Sequence, residues 1–235
     1  ENEKSLLKEF IKYLKNQNPS ILSGWNIANY DICYLLNRMV YLFGERSLWH
    51  FGNAKAWIKN EARKFIINGI SVVDYMVLYK KFELKPRRSY TLSNICEEED
   101  IKIGGEGKHK IEGSMKTFSE TNWDKFVLYC VQDSKLVYEI DIKKQLMNLF
   151  ISICYTAGIS FDFSISKDFS WLRVHDAAIY KFCSDRHIGL PTANKDNFLI
   201  DDKFEGAFVM EPNPRLYDWV SVYDVNSLYP SCIRS

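Results

Sequence analysis

The chain has 235 residues, 46% of them hydrophobic and 26% charged, a composition typical of a globular protein with one large or two small domains. A formal net charge of +1 excludes a globally basic nucleic-acid binder, so any such contact must come from local patches. No apolar run is long enough to span a bilayer, and we expect no membrane partner. The six cysteines lack C-x-x-C spacing, which favours reduced thiols of a cytosolic compartment.

The first part of the chain is predicted to be strand, turn and helix. Apolar spacing predicts a helix over residues 5–15, a short strand over residues 20–25 and a second helix that begins at Asp31. Asn26 and Asp31 would then lie where the strand ends, which is where α/β sheets place their ligands. Taken alone, Asp31 is equally typical of an N-cap and Asn26 of a turn.

The next stretch is predicted to contain a basic hairpin and a basic surface. Two β-prone runs, residues 56–59 and 64–67, surround a polar loop. Residues 70–82 are expected to carry a helix, and residues 85–88 form the densest basic patch. Such a patch is usually solvated, with phosphate contact as the alternative. Residues 97–100 and 104–113 predict an exposed loop.

Helices are predicted for most of the second half. One begins at Asn122 and places Tyr129 and Asp133 on one face, so that a phenol and a carboxylate can approach the same atoms, although an ordinary surface pair is the alternative. The helix is expected to continue over residues 141–155, a strand or extended turn to follow over residues 159–166, and another helix to lie over residues 171–186. The residues expected to be buried are Phe126, Val127, Cys130, Leu136, Val137, Ile140 and Leu146 in the first helix, and Val174, Ala177, Ala178 and Phe182 in the last.

The last stretch combines a carboxylate with a tight turn. The apolar run over residues 219–223 predicts a buried strand that ends at Asp224. In the turn that follows, Ser227, Leu228 and Tyr229 can aim backbone N–H groups at one point. A carboxylate that can hold a divalent cation, beside amides that can hold phosphate oxygens, suits a metal–triphosphate ligand. A purely structural Asp-capped turn is the alternative.

Four patterns, in order, resemble motifs of the family B DNA polymerases. Residues 26–31 resemble the Exo II motif of the proofreading nuclease, N-x-x-x-(F/Y)-D, and residues 129–133 resemble Exo III, Y-x-x-x-D. Residues 204–212 resemble the linker motif Y-x-G-(G/A), with Phe204 in the tyrosine position. Residues 224–231 match motif A, D-x-x-S-L-Y-P-S, at every fixed position. The phrase D-Y-x-x-L-Y-K-K-F at residues 74–82 resembles the T-even phage type.

The resemblance implies a replicative DNA-directed DNA polymerase with a 3′→5′ exonuclease. Each active site would use two Mg²⁺ ions, for which Mn²⁺ can substitute. In the nuclease, Asp31 and Asp133 would bind metal while Tyr129 orients the attacking water. In the polymerase, Asp224 and the Val225 carbonyl would bind metal. The amides of Ser227, Leu228 and Tyr229 would hold the nucleotide's phosphates, and the Tyr229 ring would exclude a 2′-hydroxyl. The implied DNA contacts are Asn26, Tyr30, Gly206, Ala207 and Phe208.

The implied fold is α/β. It consists of a truncated RNase H-like 3′→5′ exonuclease domain over residues 1–150, a helical and extended connector over residues 151–203, and the linker motif with the first palm strand over residues 204–235. The implied partners are primer–template DNA, deoxynucleoside triphosphates, the remainder of the polymerase and a sliding clamp. The implied location is the cytoplasm of an infected bacterial host.

Two departures from the family pattern qualify this hypothesis. The nuclease's Exo I pair, D-x-E, is not found before Asp31, and the downstream polymerase motifs K-x-x-x-N-S-x-Y-G and D-T-D are also missing. A metal site with only some of its carboxylates is weak, so we expect the chain to be inactive alone. We also expect it to be a segment of a longer protein. The alternatives are a non-catalytic subunit of a split polymerase, or a DNA-binding scaffold with remnant carboxylates. Exposed apolar surface and low solubility are expected.

Overall fold

The computed structural model describes residues 2–51, 56–59, 64–67, 69–103, 114–161, 171–190 and 206–235. They divide into two units, Glu1–Leu190 and Pro191–Ser235. The loop predicted over residues 104–113, most of the extended segment predicted over residues 159–166, and Phe204 of the linker motif lie outside the described residues.

The first unit is mostly helical. Its described helices are α1 (Glu3–Gln17), α2 (Asp31–Phe43), α3 (Tyr75–Phe82), α4 (Leu92–Glu98), α5 (Met115–Thr121), α6 (Trp123–Lys144), α7 (Leu146–Ala157) and α8 (Trp171–Asp185), with a short 3₁₀ helix at Glu45–His50. Its described strands are β1 (Ile21–Gly24), β2 (Ala56–Lys59), β3 (Lys64–Ile67) and β4 (Ser71–Asp74). The structure confirms four predicted helices: those over residues 5–15 and 171–186, and those that begin at Asp31 and near Asn122.

A small parallel sheet organises this unit. Strand β1 pairs with β4, with Ile21 opposite Ser71 and Gly24 opposite Asp74. Parallel strands need a long crossover, and here α2, the 3₁₀ helix and the β2–β3 pair lie between them in the chain. Because both strands run the same way, their carboxyl ends lie at one edge of the sheet. This confirms the predicted α/β organisation and the strand that precedes Asn26.

The predicted hairpin is also confirmed. Strands β2 and β3 pair antiparallel, with Ala56 opposite Ile67 and Lys59 opposite Lys64. The polar loop between them, residues 60–63, lies outside the described residues.

Three hydrophobic clusters form the core of the first unit. The first joins α1 and α2 around Leu36 and Phe51. The second joins α3, α4 and α6 around Ile95 and Leu136. The third joins β4, α7 and α8 around Phe150. All five of these side chains are fully buried. The burial predicted for Leu136, Ile140 and Leu146 is confirmed, while Val137 is half-buried.

The burial predicted for Val127, Cys130 and Phe182 is wrong, whereas Val174 is buried as predicted. Val127 is 40% exposed, and Cys130 is exposed as well. Val127 lies nine residues before Leu136, which in a helix of 3.6 residues per turn is half a turn out of phase, so the two side chains face opposite ways. In α8, Cys183 is buried instead of Phe182, which is 52% exposed. The Arg186 guanidinium stacks 3.7 Å from the centroid of the Phe182 ring.

The helix predicted to run on through residues 141–155 is interrupted. Gln145 adopts a left-handed conformation (φ 55°) and separates α6 from α7. Asp141 stabilises the break, because its Oδ1 accepts hydrogen bonds from the Met147 N–H (3.0 Å) and from the Tyr75 hydroxyl (2.9 Å).

The acidic loop predicted over residues 97–100 is also different in the structure. Glu97 and Glu98 belong to the last turn of α4, and Glu99, which follows, is 7% exposed. Arg87, in the predicted basic patch, forms ion pairs with Glu98 and Glu99. Arg87 is therefore part of an ion-pair network rather than of a solvated basic face.

In the second unit, the buried strand predicted over residues 219–223 is not present. Trp219 is 100% exposed with φ 57°, and Tyr223 is 91% exposed. A strand requires partner backbone groups, and residues 206–235 contain one described regular element, α9 (Leu228–Arg234). The prediction of a first palm strand is therefore wrong for this structure.

None of the helices in the described part of the chain is both long and apolar enough to cross a membrane. All six cysteines lie among the described residues and are free thiols, as their spacing predicted.

Candidate functional site

The turn between β1 and α2 presents Asp31 at the sheet edge. Asn26 has a left-handed backbone (φ 60°), and its carbonyl accepts a hydrogen bond from the Tyr30 N–H (3.2 Å). The Ile32 N–H donates to the Ile27 carbonyl (3.1 Å) and closes the turn onto the helix. Tyr30 occupies the N-cap position, and Asp31 is the first helical residue. The interpretation of Asp31 as an N-cap is therefore excluded.

A second carboxylate, Asp74, lies at the same edge. It ends β4, is 1% exposed and caps α3 by accepting a hydrogen bond from the Met76 N–H to Oδ1 (3.1 Å). Oδ1 also accepts from the Asn26 N–H (3.1 Å), and Oδ2 accepts from the Ala28 N–H (3.4 Å). Asp74 therefore accepts hydrogen bonds from backbone amides at the start of α3 and from two amides in the turn that precedes Asp31.

Both carboxyl groups have raised pKa values. Burial raises the pKa of Asp31, its own backbone N–H opposes this, and the negative charge of Asp74 adds to the increase. Burial also raises the pKa of Asp74 and outweighs its hydrogen bonds from Ala28, Asn26 and Met76. Two nearby negative charges at a partly buried site repel each other and disfavour the ionisation of both carboxyl groups. A bound cation would reduce this repulsion.

Asp74 stands in no catalytic motif of the sequence. A signal was nevertheless present, because Asp74 directly follows the apolar run Val72-Val73, just as the turn with Asn26 follows β1. What the sequence did not provide was the parallel pairing that brings the two strand ends together.

Tyr129 and Asp133 lie on α6, and both are half-buried. They share a helix face with Leu136 and Ile140, which enter the core. The cluster around Leu136 also contains Trp25, the first residue after β1, whose indole N–H donates to the Tyr90 carbonyl (2.9 Å). The Exo III face of α6 and the turn after β1 therefore share one hydrophobic cluster.

The donor set for a metal ion is only partly present. Carboxylate oxygen is a hard ligand suited to Mg²⁺, and Asp31 offers one beside a second negative charge. Within the described ranges, no group of three or more histidine, cysteine, aspartate or glutamate side chains lies close enough together to hold a metal ion. Asp31 fits a metal ligand, but the structure does not bring a complete ligand set together.

Tyr30, a predicted DNA contact, is exposed next to Asp31. Its ring is 68% exposed and stacks on that of Tyr34, with centroids 6.5 Å apart and planes 12° from parallel. Asn26, the other DNA contact predicted here, accepts a hydrogen bond from the Asn29 side-chain amide (3.1 Å). A flat aromatic surface beside a carboxylate is suited to stacking a base.

The polymerase residues predicted in the second unit are all exposed. Asp224 and Val225 precede Ser227, which has φ 53°, and Leu228 and Tyr229 begin α9. Since the first N–H groups of a helix have no carbonyl partner within it, the Leu228 and Tyr229 amides point out of its end.

The predicted DNA contacts Gly206, Ala207 and Phe208 are also exposed, in a segment without regular secondary structure. Their role stays a prediction.

Comparison with known proteins shows what the chain is similar to. Residues 1–95 match the family model described as DNA polymerase family B, exonuclease domain. The chain is 35% identical over 241 residues to the DNA-directed DNA polymerase of Escherichia phage RB69 and 32% identical over 241 residues to that of Enterobacteria phage T4. It is 24% identical over 254 residues to the DNA polymerase delta catalytic subunit of Schizosaccharomyces pombe.

Each of these alignments covers 100% of the chain, which spans 26% of the length of each phage protein and 22% of the yeast protein. The chain is similar along its whole length to part of each of these DNA polymerases, and its residues 1–95 are similar to the exonuclease domain of family B.

Proposed function

We propose that the chain is part of a replicative DNA-directed DNA polymerase and contributes to its 3′→5′ proofreading exonuclease. The observation that carries the proposal is the position of Asp31, which follows the turn at the carboxyl edge of the parallel sheet beside the buried Asp74. Ligands of α/β folds bind at that edge. The homologous phage proteins are named DNA-directed DNA polymerases.

In the nuclease, Asp31 and Asp133 would hold divalent cations, and Tyr129 would orient the attacking water. When bound, a pair of cations supplies Lewis-acid stabilisation of the attacking and leaving oxygens of the phosphodiester. The hydrophobic cluster shared by Trp25 and Leu136 supports this pairing, because Leu136 is on the helix face that carries Asp133. Asn26 and the exposed Tyr30 contact the DNA strand.

In the polymerase, Asp224 and the Val225 carbonyl bind Mg²⁺, and the amides of Ser227, Leu228 and Tyr229 bind the nucleotide's phosphates. The match to motif A supports these roles. Gly206, Ala207 and Phe208 contact DNA. The nuclease domain comprises residues 1–150, and the connector comprises residues 151–203. The linker motif and the start of the palm follow over residues 204–235.

The partners proposed for the whole protein are primer–template DNA, deoxynucleoside triphosphates and a sliding clamp, in the cytoplasm of an infected bacterium. Homology to phage polymerases supports this setting.

A Mn²⁺ titration of the 235-residue chain, followed by the electron paramagnetic resonance of the free ion, tests the nuclease site. Asp31→Asn and Asp133→Asn should each weaken binding about tenfold or more, because each removes a charged ligand. Asp176→Asn, an exposed carboxylate of α8, is the matched control and should bind Mn²⁺ like the unchanged chain.

Unchanged affinity in Asp31→Asn would contradict the nuclease site. In that case the DNA-binding scaffold with remnant carboxylates would be the better hypothesis. If instead both variants bind more weakly while the control does not, the scaffold hypothesis fails, and the chain is a working part of a metal-dependent nuclease site.

A further inference from the structure

Asp74 occupies a costly position. Its side chain is 1% exposed, and a buried carboxylate loses the hydration that stabilises its charge. Capping α3 requires only one hydrogen bond, to Met76, and a neutral serine or asparagine can provide it. The helix cap therefore does not explain the second carboxylate oxygen, Oδ2, or the hydrogen bonds beyond the one from Met76.

The extra bonds reach across the sheet to the turn before Asp31. Asn26 donates to Oδ1 and Ala28 to Oδ2, from residues 48 and 46 positions away in the chain. The turn's backbone is unusual, since Asn26 has φ 60° and its carbonyl is bonded by Tyr30. Both oxygens of Asp74 thus hold the turn at two points, one before and one after Ile27.

The same turn determines where α2 begins. The Ile27 carbonyl accepts the Ile32 N–H, so a displacement of the turn would be passed directly to the first turn of the helix. Asp31 is the first residue of that helix. Asp74 is poorly suited to bind a ligand itself, because its buried oxygens already accept backbone N–H groups.

We propose that Asp74 is a positioning residue that holds the residue 26–28 turn in place and thereby aims the Asp31 carboxylate. This inference rests on the proposed function, because it concerns the same nuclease site. Groups that orient a metal ligand commonly change metal affinity 10–100-fold when removed.

Two substitutions of Asp74 separate positioning from charge. Asp74→Asn and Asp74→Ser both remove the negative charge. Asparagine keeps an Oδ1 that can accept from Asn26 and Met76 and loses the Oδ2 that accepts from Ala28. Serine can still cap α3, but its side chain is one bond shorter and does not reach the turn. The two variants therefore differ in geometry and not in charge.

The first measurement is amide hydrogen exchange in the 235-residue chain without metal. In Asp74→Ser, exchange at Asn26 and Ala28 should accelerate about tenfold or more, while Met76 stays protected because the cap is kept. In Asp74→Asn, Ala28 should accelerate and Asn26 should not. Unchanged exchange at both turn amides in Asp74→Ser would overturn the proposal.

The second measurement is Mn²⁺ affinity, with Asp31→Asn measured alongside. The proposal expects Asp74→Ser to bind about tenfold more weakly than the unchanged chain and clearly more weakly than Asp74→Asn. Equal losses in the two variants would show that Asp74 acts through its charge and would overturn the proposal.

The failure of the proposed function has a different signature. If Asp31→Asn leaves Mn²⁺ affinity unchanged, the nuclease site fails, and the inference that Asp74 holds the turn is then decided by amide exchange alone. If Asp31→Asn weakens binding and Asp74→Ser does not, only the positioning role is overturned.

Discussion

Glu99 shows how much a single residue depends on distant partners. Its carboxylate accepts a hydrogen bond from the Tyr79 hydroxyl (2.6 Å) and pairs with Arg87 and with Lys144 (2.9 Å). Burial alone would raise the pKa of Glu99, but the bonds from Tyr79 and Lys144 and the charges of Lys144 and Arg87 hold its pKa below the ordinary value. This network ties α3, α4 and α6 together.

Replacing the Glu99 carboxylate should destabilise the folded chain. We expect Glu99→Gln to lower the free energy of unfolding by about 3 kcal/mol, because Arg87, whose side chain is 8% exposed, loses a buried partner. Glu98→Gln is the matched control, since Glu98 also pairs with Arg87 but is 28% exposed. In urea denaturation, Glu98→Gln should lower the free energy of unfolding clearly less than Glu99→Gln does. Equal costs would contradict the importance assigned to burial.

The same variant makes a prediction about pH. Because the folded pKa of Glu99 is lowered, its contribution is fully present above the unfolded pKa of about 4.3 and is lost as pH falls through the folded value. The stability difference between the unchanged chain and Glu99→Gln should therefore be constant near neutral pH and shrink below about pH 4. A difference that grows on acidification would contradict this assignment.

At the residue scale, local sequence patterns identified Asp31, Tyr129 and Asp133 as candidates but missed Asp74 and Glu99. The first three stand in short motifs, so neighbouring letters reveal them. Asp74 bonds Asn26, which is 48 positions away, and Glu99 bonds Tyr79, which is 20 positions away, and no local pattern records such pairs.

At the scale of elements, the joint between α6 and α7 illustrates a feature that periodicity cannot show. The apolar spacing continues through residues 141–155, yet Asp141 bonds both Met147 and Tyr75, and the helix breaks at Gln145. Long amphipathic helices and the hairpin could be predicted because their periods of 3.6 and 2 extend over many residues. A break made by one long-range hydrogen bond could not.

This joint can be tested with one atom. Tyr75→Phe removes the hydroxyl that donates to Asp141, and we expect the free energy of unfolding to fall by about 2 kcal/mol because the acceptor is a carboxylate. Tyr155→Phe is the control, since the Tyr155 side chain is 83% exposed, and it should change stability by less than about 0.5 kcal/mol. Thermal denaturation followed by circular dichroism measures both, and equal effects would contradict the proposed joint.

At the scale of the whole molecule, exposed apolar side chains are numerous. On α6, Val127, Leu128 and Val131 are 40%, 67% and 43% exposed. The chain corresponds to about a quarter of the length of its phage relatives. The prediction of a strand over residues 219–223 was wrong. An apolar run favours burial, but it cannot supply the partner strand that a buried strand requires.

We expect the isolated chain to self-associate through this α6 face. A formal net charge of +1 gives little repulsion between copies. Val131→Lys should increase the monomer fraction in sedimentation velocity without a loss of stability, because it removes exposed apolar area. Ser134→Lys, on the same helix, adds the same charge and removes no apolar side chain, so it should have a smaller effect. Equal effects would show that charge, and not the apolar face, controls association.

If Asp31 and Asp133 belong to one nuclease metal site, substoichiometric Mn²⁺ should broaden the amide signals of both residues by paramagnetic relaxation. We expect the signals of Asp31 and Asp133 to broaden together, while that of Asp176 stays sharp. The broadening at both aspartate positions, 31 and 133, should disappear in Asp31→Asn. Broadening at Asp31 without broadening at Asp133, or equal broadening at all three positions, would contradict a shared nuclease metal site.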